Sequence, residues 1–153
     1  MIIANEHCAL TALCDVRKSE ELGIQHYQVP LYKDLPSLLN EGPAFDVLNI
    51  CTPNGLHYEH AILGLRNNKH LVIEKPLTLK KDHAQKIIQL SEEKEKKVFC
   101  VMQNRYSPPI KWLKEILDEN KLGNIYIVKI DCYWNRDDPV SYTHLTLPTI
   151  LLV

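Results

Sequence analysis

Short apolar runs that end abruptly at polar residues alternate along this chain with segments of helical periodicity. The runs cover residues 9–15, 46–50, 70–73 and 98–102. Continuous apolar runs of this kind are typical of buried parallel strands. Between and after the runs, apolar residues recur at helical spacing within 58–65, 84–91 and 110–117, which predicts three helices. The alternation predicts an α/β fold, a parallel sheet with flanking helices.

The pattern changes after the third predicted helix. Gly123 is a suitable residue to end a helix, and residues 124–134 then alternate as one long strand. The last stretch, 140–153, does not continue this pattern. It resembles the in-frame translation of a transposase-type sequencing adapter, so we expect a non-native tail there. The alternative is a genuine threonine-rich strand.

Composition and charge narrow the classes of protein that fit. The 153 residues suffice for one domain with one core, and 45% hydrophobic with 24% charged residues is ordinary for a soluble globular chain. A net charge of -1 gives no electrostatic case for nucleic acid or an anionic membrane. No apolar run approaches the ~20 residues of a membrane span. The start of the chain lacks the features of a signal peptide. Five cysteines without metal spacing suggest free thiols in a reducing cytosol, so we expect a cytoplasmic protein.

Two polar tripeptides follow predicted strands. Thr-Pro-Asn at 52–54 follows the second run, and Glu-Lys-Pro at 74–76 follows the third. The carboxyl ends of parallel strands meet at one edge of the sheet, where ligands bind. Glu74 and Lys75 thus place an acid and a base where a cofactor would lie, and such a lysine can transfer a proton. His57 and His60 are spaced like metal ligands, but the sequence offers no third ligand, so no metal site is predicted.

One expected feature of a dinucleotide-binding fold is missing. Such a fold opens with a strand and a G-x-G-x-x-G loop that lets the backbone approach the pyrophosphate. None of the five glycines forms this loop. Asp15 nevertheless ends a strand as the ribose-binding acid of such a fold does, with helix capping as its alternative role. We therefore expect Met1 to be an internal methionine, with the first strand and the glycine loop lost.

With T-P-N-x-x-H at 52–57 and E-K-P at 74–76, the chain resembles the Gfo/Idh/MocA family of nicotinamide-dependent sugar oxidoreductases. The resemblance covers residues 1 to about 138. It implies a partial Rossmann domain at 1–121 and the start of a second, α+β substrate and oligomerisation domain at 122–139. The stretches 101–109 and 132–137 look most like the branch of UDP-N-acetylglucosaminuronate 3-dehydrogenases of surface-polysaccharide synthesis.

The resemblance also implies roles for single residues. Lys75 would be catalytic, taking a proton from a sugar hydroxyl as hydride leaves the same carbon, with its neutral form favoured by desolvation and a cationic nicotinamide. In the family, the Lys75–Pro76 bond is often cis. Cofactor contacts are expected from Asp15, Arg17, Thr52, Pro53, Asn54, His57, Glu74, Lys75 and Gln103. Substrate contacts are expected from Lys75, Arg105, Trp134, Asn135 and Arg136.

These residues also suggest which cofactor and which substrate to expect. Asp15 favours NAD because it would repel a 2′-phosphate, whereas Arg17 could pair with one and keeps NADP open. Arg105 could bind an anionic group of a UDP-linked sugar acid, or could be a surface residue. The alternatives are a polyol or monosaccharide dehydrogenase of the same family, or a nucleotide-binding module without catalysis. The family's second-domain acid and histidine have no counterpart here. We expect this polypeptide neither to bind NAD tightly nor to turn over, and its parent to be a homo-oligomer.

Overall fold

A computed structural model describes residues 5–129, residue 131 and the backbone of 150–152. It contains one six-stranded sheet with the strand order β2-β1-β6-β3-β4-β5. The strands are β1 (Leu13–Cys14), β2 (Leu31–Tyr32), β3 (Val47–Ile50), β4 (His70–Ile73), β5 (Val98–Cys100) and β6 (Ile150–Leu152). The helices are α1 (Ser19–Leu22), α2 (Leu35–Glu41), α3 (His57–Arg66), α4 (Lys81–Glu93) and α5 (Pro108–Asp118). The predicted α/β fold is confirmed.

Two parallel groups of strands make up the sheet. β1 pairs with β2, and β3, β4 and β5 pair in sequence, with Ile73 of β4 opposite both Ile50 and Cys100. The parallel order arises because a helix returns the chain after β3 and again after β4, as βαβ units require. The carboxyl ends of these strands therefore lie along one edge of the sheet.

The position between the two groups is taken by β6. Its backbone pairs antiparallel with both β1 and β3, with Ile150 opposite Cys14 and Ile50. From the sequence we expect the first strand of the fold to be lost, yet the described sheet is continuous because residues 150–152 occupy the position between β1 and β3. The non-native origin expected for 140–153 stays a prediction.

The core lies between the sheet and helices α3 and α4. The fully buried side chains come from both layers: Leu48 and Leu71 from β3 and β4, Leu65 from α3 and Ile87 from α4. The helices follow the predicted apolar faces, because α3 and α4 contain the stretches 58–65 and 84–91. Gly64 allows α3 to approach the sheet closely, since an added Cβ would lie 2.7 Å from Leu48 Cδ2 and 2.8 Å from Leu71 Cδ2.

The structure corrects several predicted boundaries. Residues 124–129 are not in a strand, although their alternation predicted one, and no described strand lies beside them to supply hydrogen bonds. The third predicted helix ends at Asp118, with Glu119 as its C-cap, and not at Gly123. β1 is shorter than the run 9–15 because only two of its residues pair with β2. The short elements α1, α2 and β2 were not predicted.

Helix α5 packs against the turn before it and leaves its apolar side open. None of its residues is buried, and Trp112 is 62% exposed. The exposed apolar residues continue through Ile125 to Val128. Within the described residues, no helix combines the length and apolar character that crossing a bilayer requires.

Candidate functional site

Four of the predicted site residues lie just beyond the carboxyl ends of parallel strands. Asp15 follows β1 and Glu74 follows β4, while Thr52 and Gln103 lie shortly after β3 and β5. Parallel pairing brings these strand ends to the same edge. The structure thereby groups residues that are far apart in the sequence, as predicted from the apolar runs.

Asp15 forms a close pair with Arg17. The Asp15 side chain is almost fully buried, and its Oδ1 accepts hydrogen bonds from Arg17 N at 2.9 Å and Arg17 Nε at 3.2 Å. Oδ2 accepts from Arg17 Nη2 at 3.2 Å, and this bonding raises the pKa of Arg17. The N-cap of α1 is Lys18, so Asp15 does not cap that helix. The guanidinium fixes the carboxylate at the strand end, and the carboxylate holds Arg17 in turn.

The loop after β3 is tied down by two histidines of α3. Thr52 is buried, and its Oγ1 lies 3.1 Å from His60 Nδ1, while its carbonyl oxygen lies 2.8 Å from His57 Nε2. Pro53 precedes a single turn of 3-10 helix, Asn54–Leu56, which leads into α3. Burial lowers the pKa of His60, and Glu59 and His57 act on it more weakly in opposite directions.

The His57 ring lies beneath the site and does not face solvent. It has no exposed surface, and its Nδ1 lies 2.7 Å from the carbonyl oxygen of Pro76. Because its other nitrogen contacts Thr52, the ring connects the loop after β3 to the turn after β4. Both nitrogens are engaged by backbone, so the ring supports these two segments and offers neither nitrogen to a ligand in this structure.

The turn after β4 presents the acid and the base. Glu74 N donates to Ile50 O at 2.9 Å, which anchors the turn to β3, and Glu74 Oε2 accepts from Lys75 N at 3.2 Å. The Lys75–Pro76 peptide bond is cis, as the resemblance implied. The Lys75 side chain is exposed, and no described residue bonds to its ammonium. The expected desolvation would therefore have to come from a bound cofactor and substrate.

Two cysteines stand on either side of Glu74 at the sheet edge. Burial, and secondarily the Glu74 carboxylate, raise the pKa of Cys51 to about 11. The same two causes, in the same order, raise the pKa of Cys100. Each described cysteine is free. These thiols are therefore poor nucleophiles at neutral pH.

The remaining predicted residues fall into two sets. Gln103 and Arg105 are exposed on the 3-10 turn Gln103–Tyr106 that follows β5, and Arg105 lies near enough to Cys100 to lower its pKa slightly. Trp134, Asn135 and Arg136 lie outside the described residues.

The sequence did not predict the carbonyl oxygens of Thr52 and Pro76 as partners of His57. Every residue has a backbone carbonyl, so the residue type does not indicate which carbonyl will accept a hydrogen bond.

The residues of this edge fit part of a dinucleotide. A buried carboxylate after β1 suits ribose hydroxyls, and Glu74 with Lys75 suits the nicotinamide end, where proton and hydride transfer occur. No glycine-rich loop for the pyrophosphate is found within the described residues, and the sequence contains none. The described part of the chain thus carries side chains suited to ribose and to the nicotinamide end, and it contains no glycine-rich loop suited to the pyrophosphate.

Curated relatives cover the same part of the chain. The scyllo-inositol 2-dehydrogenase (NADP(+)) IolW of Bacillus subtilis is 25% identical over 122 residues, which is 80% of this chain and 33% of that protein. The D-glucoside 3-dehydrogenase of Escherichia coli is 27% identical over 119 residues, 77% of this chain and 34% of that protein. The chain therefore spans about a third of the length of these relatives.

A solved structure and a family model match the same part of the chain as the curated relatives do. The WlbA dehydrogenase from Bordetella pertussis, in complex with NADH and UDP-GlcNAcA, superposes with a TM-score of 0.80 and 25% identity over 89% of this chain and 42% of that one. The family model described as an oxidoreductase family with an NAD-binding Rossmann fold matches residues 2–102. With two thirds of its length matched by this model, this chain belongs to the Gfo/Idh/MocA family of oxidoreductases.

Proposed function

We propose that this chain supplies the dinucleotide-binding part of an oxidoreductase that passes hydride between NAD and a ring carbon of a sugar. The observation that carries the proposal is the Glu74–Lys75 pair at the carboxyl end of β4. This turn is anchored to β3 through Ile50 O and is joined to the Thr52 loop through His57. A module that only binds nucleotide has no need of an exposed lysine at this point.

The proposed chemistry removes a hydride from one sugar carbon and a proton from the hydroxyl group on that carbon. When bound, the nicotinamide supplies the hydride acceptor. Lys75, in its amine form, accepts the proton of the sugar hydroxyl, and that oxygen becomes a carbonyl oxygen as hydride leaves the carbon. Glu74 holds the nicotinamide ribose or positions Lys75, and a cationic nicotinamide nearby favours the neutral amine. In the opposite direction Lys75 returns the proton.

Cofactor contacts in this proposal come from the sheet edge. Asp15 would accept hydrogen bonds from the adenosine ribose hydroxyls, and this favours NAD because the carboxylate would repel a 2′-phosphate. Thr52, Pro53, Asn54 and Gln103 would follow the cofactor toward the nicotinamide. NADP remains open, since Arg17 could turn toward a 2′-phosphate.

The preferred substrate is a nucleotide-linked sugar acid. The similar WlbA structure holds UDP-GlcNAcA, and the exposed Arg105 is a suitable bidentate partner for a carboxylate or phosphate. Trp134, Asn135 and Arg136 are proposed to border the same pocket. The second candidate is a free polyol or monosaccharide, favoured by the inositol and glucoside dehydrogenases among the relatives.

We also propose how the chain divides into domains. A Rossmann part would cover 1–121, a second domain would begin at 122, and a non-native tail would begin at 140. The parent protein would be a homo-oligomer.

Lys75→Met in the complete protein read from the encoding locus tests the catalytic proposal. We expect loss of hydride transfer, followed by nicotinamide absorbance, with NADH binding retained. Lys94→Met is the matched control, because Lys94 is an exposed lysine at the far end of α4, and it should leave the rate unchanged. Full activity in Lys75→Met would refute the catalytic role of Lys75, and absence of hydride transfer in the unsubstituted complete protein would favour the binding-module alternative.

Arg105→Ala tests the substrate class in the same protein. If Arg105 binds an anionic group, the substitution should raise KM more for charged than for neutral sugars. Equal losses for both kinds of sugar would refute the anionic-substrate proposal and would favour the polyol alternative.

A further inference from the structure

The buried His57 ring makes two contacts that a neutral imidazole cannot both satisfy. Nδ1 lies 2.7 Å from Pro76 O and Nε2 lies 2.8 Å from Thr52 O. Both oxygens belong to backbone carbonyls, which only accept hydrogen bonds. A neutral imidazole carries a single N–H, so in that form one nitrogen would turn its lone pair toward an oxygen lone pair at hydrogen-bond distance. Turning the ring over would place carbon atoms at both oxygens and would lose both bonds.

We propose that His57 is a positioning residue that works with a proton on each nitrogen, clamping the Thr52 loop to the Pro76 turn. This inference rests on the proposed function, because these two segments carry the cofactor and proton-transfer residues. The ring links positions 5 and 19 residues away along the chain. Charge-assisted hydrogen bonds of this kind are shorter and stronger than neutral ones, as the two distances are.

The ionisable groups around His57 determine how much a positive charge on its ring costs. The titratable groups on the elements packed around His57 include Glu59 and His60 on α3, Cys51 after β3, Glu74 and Lys75 after β4, and His83 on α4, which stacks on Tyr58. The acids on these elements are Glu59 on α3, Glu74 after β4, and Asp82, Glu92 and Glu93 on α4. Burial lowers the pKa of His60, and the charge on His57 acts on that pKa in the same direction. Loss of one proton from His57 would remove one bond and loosen one of the two segments.

Nuclear magnetic resonance on the full chain with 15N-labelled histidine tests the protonation directly. At pH 6.5 we expect the His57 ring to show two N–H groups, each correlated with its own nitrogen, and His57→Gln identifies the signals by their loss. A His57 ring with one protonated and one unprotonated nitrogen at that pH would overturn the proposal. This readout needs no ligand.

Hydrogen exchange tests the clamp. In His57→Gln, whose single amide nitrogen cannot reach both carbonyls, we expect about tenfold faster exchange in the peptides around residues 52–56 and 74–80, the factor expected for loss of one ordinary hydrogen bond at each. His83→Gln is the matched control and should leave both peptides unchanged. Faster exchange in one peptide only, or in neither, would refute the clamp.

The two proposals fail separately. Hydride transfer by the complete Lys75→Met protein, together with two His57 N–H groups, would remove the catalytic proposal and leave a structural clamp. A singly protonated His57 together with loss of activity in Lys75→Met would remove the clamp and keep the catalytic lysine.

Discussion

Replacing Gly64 by alanine should push α3 away from the sheet. Gly64 lies in the last turns of α3, and its backbone faces the two fully buried leucines Leu48 and Leu71. A methyl group at this position would lie within 2.8 Å of a terminal carbon of each. Real Cβ atoms do not approach other carbons this closely, so the leucines or the helix must move. The same helix carries His57, so the displacement would reach the site.

Two opposing effects determine how much Gly64→Ala changes the free energy of unfolding. Alanine in place of glycine in a helix stabilises by about 1 kcal/mol, and less near a helix end. Overpacking a well-filled core costs about 1–3 kcal/mol. Both leucines are fully buried, so moving either side chain displaces packed neighbours, and the upper part of that range applies. We expect a net loss of about 1–2 kcal/mol in the free energy of unfolding.

The loss of stability can be measured by urea and thermal unfolding, with circular dichroism as the signal. For a chain of this size, the loss corresponds to a fall in Tm of about 3–8 °C. Gly55→Ala is the matched control, because a Cβ there meets nothing within 4 Å, and we expect a change below ~0.5 kcal/mol. A Gly64→Ala protein as stable as the parent would refute the close approach of α3 to the sheet.

Two further predictions concern ionisation. Since burial and Glu74 raise the pKa of Cys51 to about 11, maleimide labelling of the native chain at pH 8 should be slower at Cys51 than at Cys8, and equal labelling by peptide mass spectrometry would contradict this. Asp34 caps α2 by accepting from Ser37 N at 2.8 Å, and this bond lowers the pKa of Asp34. A lowered pKa gives stability that is present above the unfolded value and is lost as pH falls through the acid range. Asp34→Ala should therefore destabilise the chain at pH 7 and less at pH 3, and an equal effect at both would refute the cap.

The sequence predicted best those elements whose pattern is enforced by burial. β4 matches the predicted run 70–73, and α3 and α4 extend the predicted helical stretches by a few residues. All three elements contribute to the core, where apolar periodicity and packing agree. The short elements α1 and β2 were missed because four and two residues are too few to show a period.

The failures have a physical cause as well. Alternation in 124–129 marks residues that could form a strand, but a strand requires a neighbour for its hydrogen bonds, and a sequence pattern does not reveal one. At the site, apolar runs ending in Asp15, Thr52 and Glu74 sufficed to predict a shared edge. The pairing of Asp15 with Arg17 and the buried position of His57 depend on side-chain rotamers and backbone oxygens, which residue types do not specify.

The open face of α5 has a consequence for how folding of this chain is assayed. Dyes such as ANS fluoresce on binding exposed apolar surface, and this response is commonly taken as a sign of a molten globule. Trp112, Leu113 and Leu117 are at least 40% exposed on the folded chain, and Tyr126 and Ile127 are 87% exposed. A correctly packed molecule should therefore bind the dye strongly. Loss of near-ultraviolet circular dichroism, and not dye fluorescence, is the signal that would report disordered packing in this protein.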